Sequence, residues 1–185
     1  GAFDIAHWEK ASKYTDDTAV NGLVIGGRNL ITNSNDYWFD GTDYSASNNL
    51  VKGKATFLNA ALSNCYRTWM PISTFINDLR GKKLTCSIDI SVSGNYYGNA
   101  EFWFNIRKYD FTNEINSNIP IAYSTIWRRY SVTIDIPENY PVSINDVRFL
   151  CGFGTVNTDG LIIDYKNIKV EVGGKATDWT PAPED

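Results

Sequence analysis

The sequence predicts an all-β fold, a β-sandwich of the jelly-roll type, preceded by a short helical segment. About eight or nine segments alternate apolar and polar residues, the period-two pattern of a strand with one buried and one solvent-exposed face. Turn residues separate these segments at short intervals, and strands without intervening helices favour a sandwich over βαβ units. The 185 residues, 43% of them hydrophobic, suffice for one domain with a sizeable core.

The N-terminal segment, residues 1–25, is predicted to be a helical or linker segment from a preceding stalk or domain. Within residues 3–20, Ile5 and Trp8 stand at helical spacing, but the apolar stripe is thin. The helix therefore either docks on the domain or bundles with copies of itself. The β-sandwich domain is predicted to span residues 26–185.

The first half of that domain is expected to hold three strands and a loop. Arg28 to Thr32 is the expected first strand, and residues 41–49, rich in Gly, Ser, Asn and Asp, are the expected loop. Lys54 to Leu58 and Cys65 to Met70 are expected to form a strand pair.

The second half carries the clearest alternation. Residues 110–120 are expected to form a polar loop among five strands, namely Leu84 to Val92, Ala100 to Lys108, Ile126 to Ile136, Val147 to Phe153 and a closing strand from Leu161 to Val172. In the closing strand the apolar parity changes between Ile163 and Ile168, which predicts a β-bulge.

The closing strand leads into a tail that cannot be helix or central strand. Pro181 and Pro183 lack backbone donors and have fixed φ angles. Trp179 is predicted to anchor this tail, and Trp127 to have a packing role rather than a binding one. Asp164 interrupts an apolar strand, where a calcium-ligand role is possible and a hydrogen bond that stabilises the bulge is favoured.

Several chemistries are excluded by what the chain lacks. His7 is the sole histidine and lies in the helical leader, which excludes Ser-His-Asp and Cys-His catalysis and His-based metal sites unless another chain supplies the base. Gly26-Gly27-Arg28 precedes a strand rather than a helix, so it is not a dinucleotide fingerprint.

Composition limits the partners. The formal charge of −4 argues against nucleic acid, because phosphate neutralisation needs clustered Lys and Arg. No apolar run approaches the roughly 18 residues of a membrane span. The three cysteines, Cys65, Cys86 and Cys151, match no metal or redox spacing and are expected to be buried thiols.

The candidate site lies on the exposed faces of the strands at 84–92 and 100–108. If these strands pair, their outward residues form one patch, comprising Thr85, Ser87, Asp89, Glu101, Trp103, Asn105 and Arg107. A flat aromatic ring among planar polar side chains is typical of sugar recognition, because the ring stacks on the sugar while the polar groups bind its hydroxyls.

Four further residues extend this patch. Tyr96 and Tyr97 lie in the hairpin loop at its edge, and Arg67 and Trp69 share a parity that could continue it. The alternative for Trp103 and Trp69 is a purely structural role under a covering loop.

Two carboxylates raise a third possibility. Asp89 and Glu101 could act as the carboxylate pair of a glycan hydrolase, which requires a defined separation across the scissile bond. Alternatively, both are solvated or ion-paired with Arg107 or Arg129.

Two segments resemble domains of bacteriophage tail proteins. Residues 26–34, Gly-Gly-Arg-Asn-Leu-Ile-Thr-Asn-Ser, resemble the "GGRNLL-NS" opening of such domains. Residues 167–171 and 175–185, Asn-Ile-Lys-Val-Glu and Lys-Ala-Thr-Asp-Trp-Thr-Pro-Ala-Pro-Glu-Asp, resemble their ending. These domains occur in tail fibres and baseplate components of phages of Gram-positive hosts, and the two segments frame nearly the whole chain.

This resemblance implies a non-catalytic, carbohydrate-binding-module-like jelly roll in a virion tail, adhering to host surface or cell-wall polysaccharide. The implied partners are that glycan and other phage tail subunits, with a homotrimer as a possible assembly. The alternative is a structural spacer or oligomerisation domain of a tail fibre without a ligand. Related modules hold a structural calcium, but here no Glu follows Phe39 and Tyr165 follows Asp164, so no metal or cofactor is expected.

Overall fold

The computed structural model describes residues 27–31, 41–43, 49–51, 53–57, 60–69, 79–95, 99–108, 112–141 and 147–182. These residues contain ten strands: β1 (Gly41–Asp43), β2 (Asn49–Val51), β3 (Lys54–Phe57), β4 (Ala60–Trp69), β5 (Lys83–Gly94), β6 (Asn99–Lys108), β7 (Ile115–Pro120), β8 (Arg128–Asp135), β9 (Val147–Thr158) and β10 (Leu161–Val172). The described ranges contain no helix that is both long and apolar enough to span a membrane.

The strands form a β-sandwich of two five-stranded antiparallel sheets. The first sheet has the order β1-β4-β9-β6-β7 and the second β2-β3-β10-β5-β8. Consecutive long strands thus alternate between sheets, since β5 lies in the second sheet, β6 in the first, β8 in the second and β9 in the first. The all-β sandwich expected from the sequence is confirmed.

The core consists of the alternate residues that each sheet turns inward. Phe102, Phe104 and Ile106 of β6 lie beside Phe149, Cys151 and Phe153 of β9, and all are fully buried. Burying such side chains stabilises the fold by about 1.5–3 kcal/mol each. The rings of Phe153 and Tyr165, one from each sheet, meet edge-on at 5.5 Å and join the two layers.

The five strands expected in the second half are confirmed, with small shifts at their ends. The bulge expected in the closing strand is also present, because the register of β10 against β5 shifts between Lys166 and Lys169. Asn167 adopts a positive φ of 56° there. Its side-chain amide donates to Asp89 Oδ2 at 2.7 Å, and its backbone carbonyl accepts from Arg129 Nη1 at 3.1 Å.

The prediction that a hydrogen bond from Asp164 stabilises the bulge is therefore wrong. It lies opposite Lys54 of β3 and pairs with that ammonium at 3.4 Å. The bulge is held instead by Asp89, Arg129 and Asn167.

Three local expectations were wrong. Residues 28–31 form no strand, and β1 and β2 occupy parts of the expected loop at 41–49. Residues 115–120 form β7 rather than a loop. This edge strand packs Ile115 and Ile119 against the core and exposes Asn116, Asn118 and Pro120.

The expected pairing of the strands at 54–58 and 65–70 was also wrong. Both segments are strands, but β3 pairs with β2 and β10 in the second sheet, whereas β4 pairs with β1 and β9 in the first. The expected helix at residues 3–20 lies outside the described residues.

The segment around Gly27 to Ile31 and the tail after β10 meet over the outer face of the second sheet. Lys169 and Glu171 are almost fully buried and form an ion pair at 3.5 Å. Thr177 of the tail donates its backbone N–H to Glu171 Oε1 at 2.8 Å and its hydroxyl to Glu171 Oε2 at 2.6 Å, and Gly27 N donates to Oε2 at 2.9 Å. Lys169 Nζ donates to Thr177 Oγ1 at 2.7 Å and to Asp178 O at 2.9 Å.

Asn29 completes this arrangement. Its amide nitrogen donates to the carbonyls of Ile168 and Thr180, while its oxygen accepts from the backbone N–H groups of Ile31 and Val170. We refer to Gly27, Asn29, Lys169, Glu171 and Thr177 as the terminal polar cluster.

The cluster explains the two terminal motifs. It joins the opening motif to the ending motif, so both have a structural role. Trp179 anchors the tail as expected, with its indole N–H donating to Ile168 O at 3.1 Å.

Candidate functional site

A groove of about 340 Å³ runs along the outer face of the first sheet. It is lined by side chains of β4, β6, β7 and β9 and of the loop before β7, namely Tyr66, Glu101, Trp103, Asn105, Arg107, Glu114, Asn116, Ser117, Asn118 and Leu150. Most of these are polar or aromatic, whereas the same sheet's inner face is apolar.

The sheet register arranges the lining residues in rows across the strands. One row consists of Tyr66, Gly152, Trp103 and Asn118, and the next contains Leu150, Asn105 and Asn116. Residues directly opposite one another share a face of the sheet, so each row presents neighbouring side chains to the groove.

Trp103 is the aromatic surface of the groove. Its partly exposed ring lies 6.1 Å from the ring of Tyr66, tilted by 47°. Gly152 lies below, where a Cβ atom would stand 2.8 Å from Trp103 Cζ2 and would collide with the carbonyl of Cys65. The ring therefore rests on backbone and has room only because position 152 is a glycine.

Planar polar groups flank the ring in hydrogen-bonded pairs. Asn118 Nδ2 donates to Glu101 Oε2 at 2.8 Å, and Asn116 Nδ2 donates to Glu114 Oε1 at 3.0 Å. Arg107 Nη1 stands 3.9 Å from Glu114 Oε2. These contacts hold the carboxylates and amides in fixed orientations, which suits recognition of hydroxyl groups.

Asn105 lies at the floor of the groove between Trp103 and Arg107. Its side chain is only 5% exposed, and its Oδ1 atom is buried without a hydrogen-bond partner. A buried acceptor without a donor costs about 1–3 kcal/mol. A ligand that supplies a donor relieves this cost.

Four of the residues predicted from the sequence are thus brought together, namely Glu101, Trp103, Asn105 and Arg107. Asp89 is not among them, because the expected pairing of the strands at 84–92 and 100–108 was wrong. β5 and β6 lie in different sheets, so Asp89 is on the outer face of the second sheet. There it accepts from Arg129 and Asn167.

The other predicted residues are only partly placed. In the backbone register, Arg67 lies opposite Cys151 and Trp69 opposite Phe149, whose side chains are buried in the core. The side chains of Arg67 and Trp69, and residues Tyr96 and Tyr97, lie outside the described part of the structure.

Sequence reasoning missed the far wall of the groove, formed by Glu114, Asn116 and Asn118. Residues 110–120 are polar enough to resemble a loop, so the strand was not recognised. A signal was present: Ile115 and Ile119 share one parity, and Asn116 and Asn118 the other. That short alternation is typical of an edge strand.

Trp127 packs against Lys166 at the surface rather than in the core. Its side chain is 43% exposed, and the ammonium of Lys166 lies 4.1 Å from its ring centroid. Lys166 belongs to β10, so this tryptophan lies at the second sheet, away from the groove.

The described residues offer little for nucleophilic or metal chemistry. Cys65, Cys86 and Cys151 are buried and form no disulfide with one another. Burial raises the pKa of the Cys65 thiol well above its usual range, against a smaller opposing effect of a backbone hydrogen bond at Phe153. Within the described ranges, no three His, Cys, Asp or Glu side chains are grouped to hold a metal ion.

Comparison with known proteins shows similarity in fold. No family model matches the chain, and no curated protein matches it. The tripod of the baseplate of bacteriophage Tuc2009 has a TM-score of 0.54 and 22% sequence identity over 85% of this chain. The chain spans 59% of the length of that structure's chain.

Carbohydrate-binding modules are also similar, at lower scores. The family 11 module of the cellulase Lic26A-Cel5E of Clostridium thermocellum has a TM-score of 0.46 and 12% identity, covering 83% of this chain and 99% of that one. The module TmCBM61, in complex with beta-1,4-galactotriose, has a TM-score of 0.44 and 12% identity, covering 77% of this chain and 97% of that one. The resemblance to phage tail proteins that the sequence suggested is thus confirmed at the level of the fold, by the Tuc2009 tripod.

Proposed function

We propose that this domain is a jelly-roll module that binds host-surface or cell-wall polysaccharide, without cleaving it, as part of a phage tail adhesion device. The observation that carries the proposal is the groove on the first sheet. There the partly exposed ring of Trp103 lies among oriented amides and carboxylates, beside a buried acceptor that has no partner.

The shape of the groove suits a chain rather than a single sugar. Glu101 and Arg107 are six residues apart on β6, which is roughly 20 Å at about 3.3 Å per residue. Several consecutive sugar units fit along that length. One ring stacks on Trp103 and meets Glu101, Asn105 and Asn118, and the next unit along the groove meets Arg107, Glu114 and Asn116.

The positions of the carboxylates support a non-catalytic role. The pair suggested by the sequence, Asp89 and Glu101, lies on opposite outer faces of a sandwich whose sheets pack about 10 Å apart. Glu101 and Glu114 do share the groove, but at its two ends. Glycoside hydrolysis requires about 5–9.5 Å between the two carboxyl groups, so neither pair flanks one glycosidic bond.

The phage setting is supported by the similar fold of the Tuc2009 baseplate tripod and by the two terminal motifs. The motifs form the terminal polar cluster on the second sheet, away from the groove on the first, and so support the type of domain rather than its ligand. We further propose a trimeric assembly with other tail subunits in the virion, acting at the host cell exterior.

Adhesion through this groove would depend on several copies. One stacked ring with a few hydroxyl contacts suggests millimolar affinity, about −4 kcal/mol. Linked copies convert later contacts into intramolecular ones and raise the overall affinity by about 10²–10⁴.

The decisive test is binding to an array of bacterial surface polysaccharides, with calorimetry on whatever is retained. Wild type is expected to bind, and Trp103→Ala to lose at least about tenfold in affinity, about 1.4 kcal/mol. Trp127→Ala is the matched control, because it removes an exposed tryptophan from the other sheet. An equal loss of affinity in both variants would show that the groove is not the glycan-binding site.

The alternative, a structural spacer without a ligand, makes a different prediction. If the domain is a spacer, it should form a stable oligomer and retain no glycan on the array. Mass measurement of the chain with and without residues 1–25 tests the oligomeric part independently of binding.

A further inference from the structure

The hydrogen bonds around Trp103 determine which donor or acceptor groups a sugar stacked on this ring must offer to the protein. A carboxylate only accepts hydrogen bonds, so the Asn118 amide must turn its nitrogen towards Glu101, as it does at 2.8 Å. The oxygen of Asn118 then points away from Glu101 and is left to accept from a ligand. We call Trp103, Glu101, Asn105 and Asn118 the Trp103 subsite.

A second acceptor lies beside the ring, at the floor of the groove. Asn105 Oδ1 is buried and lacks a donor. The terminal torsion of an asparagine is soft, so a small turn of the amide brings this oxygen towards a ligand in the groove. A sugar at the subsite therefore meets acceptors from Asn105, Asn118 and the Glu101 carboxylate.

Positive charge lies elsewhere along the groove. Arg107 is four residues beyond Trp103 and faces Glu114 at 3.9 Å. Arg148, opposite Arg107 in the register, donates to the carbonyl of Val147 at 3.0 Å. An acidic group on a sugar at the Trp103 subsite would thus meet the Glu101 carboxylate, while Arg107 and Arg148, the arginine side chains that the structure describes on this face, lie at the other end of the groove.

We propose that the Trp103 subsite selects a sugar unit that is uncharged or carries an amine, and rejects one that bears a carboxylate or a phosphate, with Glu101 setting this selection. The inference rests on the proposed glycan-binding function and specifies the class of its ligand. Hydroxyl, amide and ammonium groups all donate to the acceptors of the subsite. Uronate and phosphate groups supply acceptors and negative charge where the subsite already has both.

The first measurement is the same polysaccharide array, sorted into neutral, amine-bearing, uronate-bearing and phosphate-bearing glycans. Retention is expected among the neutral or amine-bearing members and is expected to be lost in Trp103→Ala. Binding of a neutral glycan is expected to change less than about twofold between low salt and about 1 M salt, where exposed charges are screened.

The second measurement replaces Glu101 by Gln, which keeps the side-chain size and removes the charge. Affinity for uronate oligosaccharides is expected to rise about tenfold, which corresponds to about 1.4 kcal/mol. Asp135→Asn is the matched control, since it removes one negative charge from an exposed position on the second sheet. It is expected to leave the ratio of uronate to neutral binding unchanged.

The outcomes separate the two proposals. Trp103-dependent retention of uronate- or phosphate-bearing glycans, as strong as that of neutral ones, would overturn the selection and leave the glycan-binding function standing. An unchanged ratio in Glu101→Gln would remove Glu101 from the explanation and so also overturn it. Retention of no glycan of any class would overturn the glycan-binding function and the selection with it.

Discussion

Asn29 and Asn105 are both buried asparagines, but their surroundings are opposite. Asn29, in the terminal polar cluster, uses its oxygen and its nitrogen for four backbone hydrogen bonds. Asn105, in the groove, keeps a buried oxygen without a partner. A fully satisfied polar group stabilises one native arrangement, whereas an unsatisfied one is a cost that a ligand can remove.

The same contrast holds for the charged groups of the two regions. Lys169 and Glu171 are buried and completely surrounded by partners, while Glu101 and Glu114 are held by one amide each and remain accessible in the groove. The cluster is therefore expected to control stability, and the groove to control binding.

The largest expected effect comes from breaking the ion pair of the cluster. Lys169→Met leaves Glu171 as a buried charge without its cation and is expected to lower the free energy of unfolding by about 3–5 kcal/mol, measured by denaturant titration. Lys83→Met is the control, because it breaks the exposed pair with Asp135 and should cost about 0–1 kcal/mol. Equal costs in the two variants would contradict a dominant role for the cluster.

The next effect tests the satisfied asparagine. Asn29→Leu keeps the size of the side chain but leaves the N–H groups of Ile31 and Val170 without their acceptor. We expect a loss of about 2–3 kcal/mol in the same titration, because an unsatisfied buried N–H costs about 1–3 kcal/mol and the bond from Ile31 N, at 3.4 Å, is long and adds little. Glycan binding measured below the unfolding transition should be unchanged. Weaker binding there would show that the two regions are coupled.

Much of the fold follows from local patterns that the sequence displays. The alternation in the segments that became β5, β6 and β8 reports which face is buried, and the parity change in β10 reports the bulge. The pairing of strands does not follow from these local patterns. β5 and β6 are adjacent in sequence and alternate identically, and periodicity carries no information about which sheet each one joins. For that reason Asp89 was grouped with Glu101.

The candidate site divides in the same way. Trp103, Asn105 and Arg107 were found because one strand carries all of them at a spacing of two. Asn116, Asn118 and Tyr66 join them only through the register with neighbouring strands, which is set by contacts distant in sequence. Lys169 and Glu171 are even less visible, since two charges in a strand indicate exposure until the tail that covers them is placed.

A smaller loss of stability is expected from a substitution at Gly152, at the floor of the groove. Gly152→Ala places a Cβ atom against the carbonyl of Cys65 and 2.8 Å from both Trp103 Cζ2 and Tyr66 Cβ. Such overpacking is expected to cost about 1–3 kcal/mol in unfolding and, because it displaces the ring of Trp103, to weaken glycan binding. At Gly174 a Cβ would meet only the flexible Lys83 side chain, so Gly174→Ala serves as the control. Normal binding by Gly152→Ala would show that the position of the ring does not matter.

The smallest change in stability, and the one that most sharply separates the two regions, is expected at Asn105. Asn105→Leu replaces an amide whose oxygen has no partner by an apolar group of similar size, so the free energy of unfolding should stay the same or rise by up to about 1 kcal/mol. Glycan affinity should fall several-fold in calorimetry, because the acceptor at the groove floor is gone. A polar group that serves binding costs stability and gains affinity, so its replacement raises stability and lowers affinity. A structural polar group does not show this pattern. A loss of stability as large as that in Asn29→Leu would mean that Asn105 is a structural residue after all, and that the groove is not built around an acceptor awaiting a ligand.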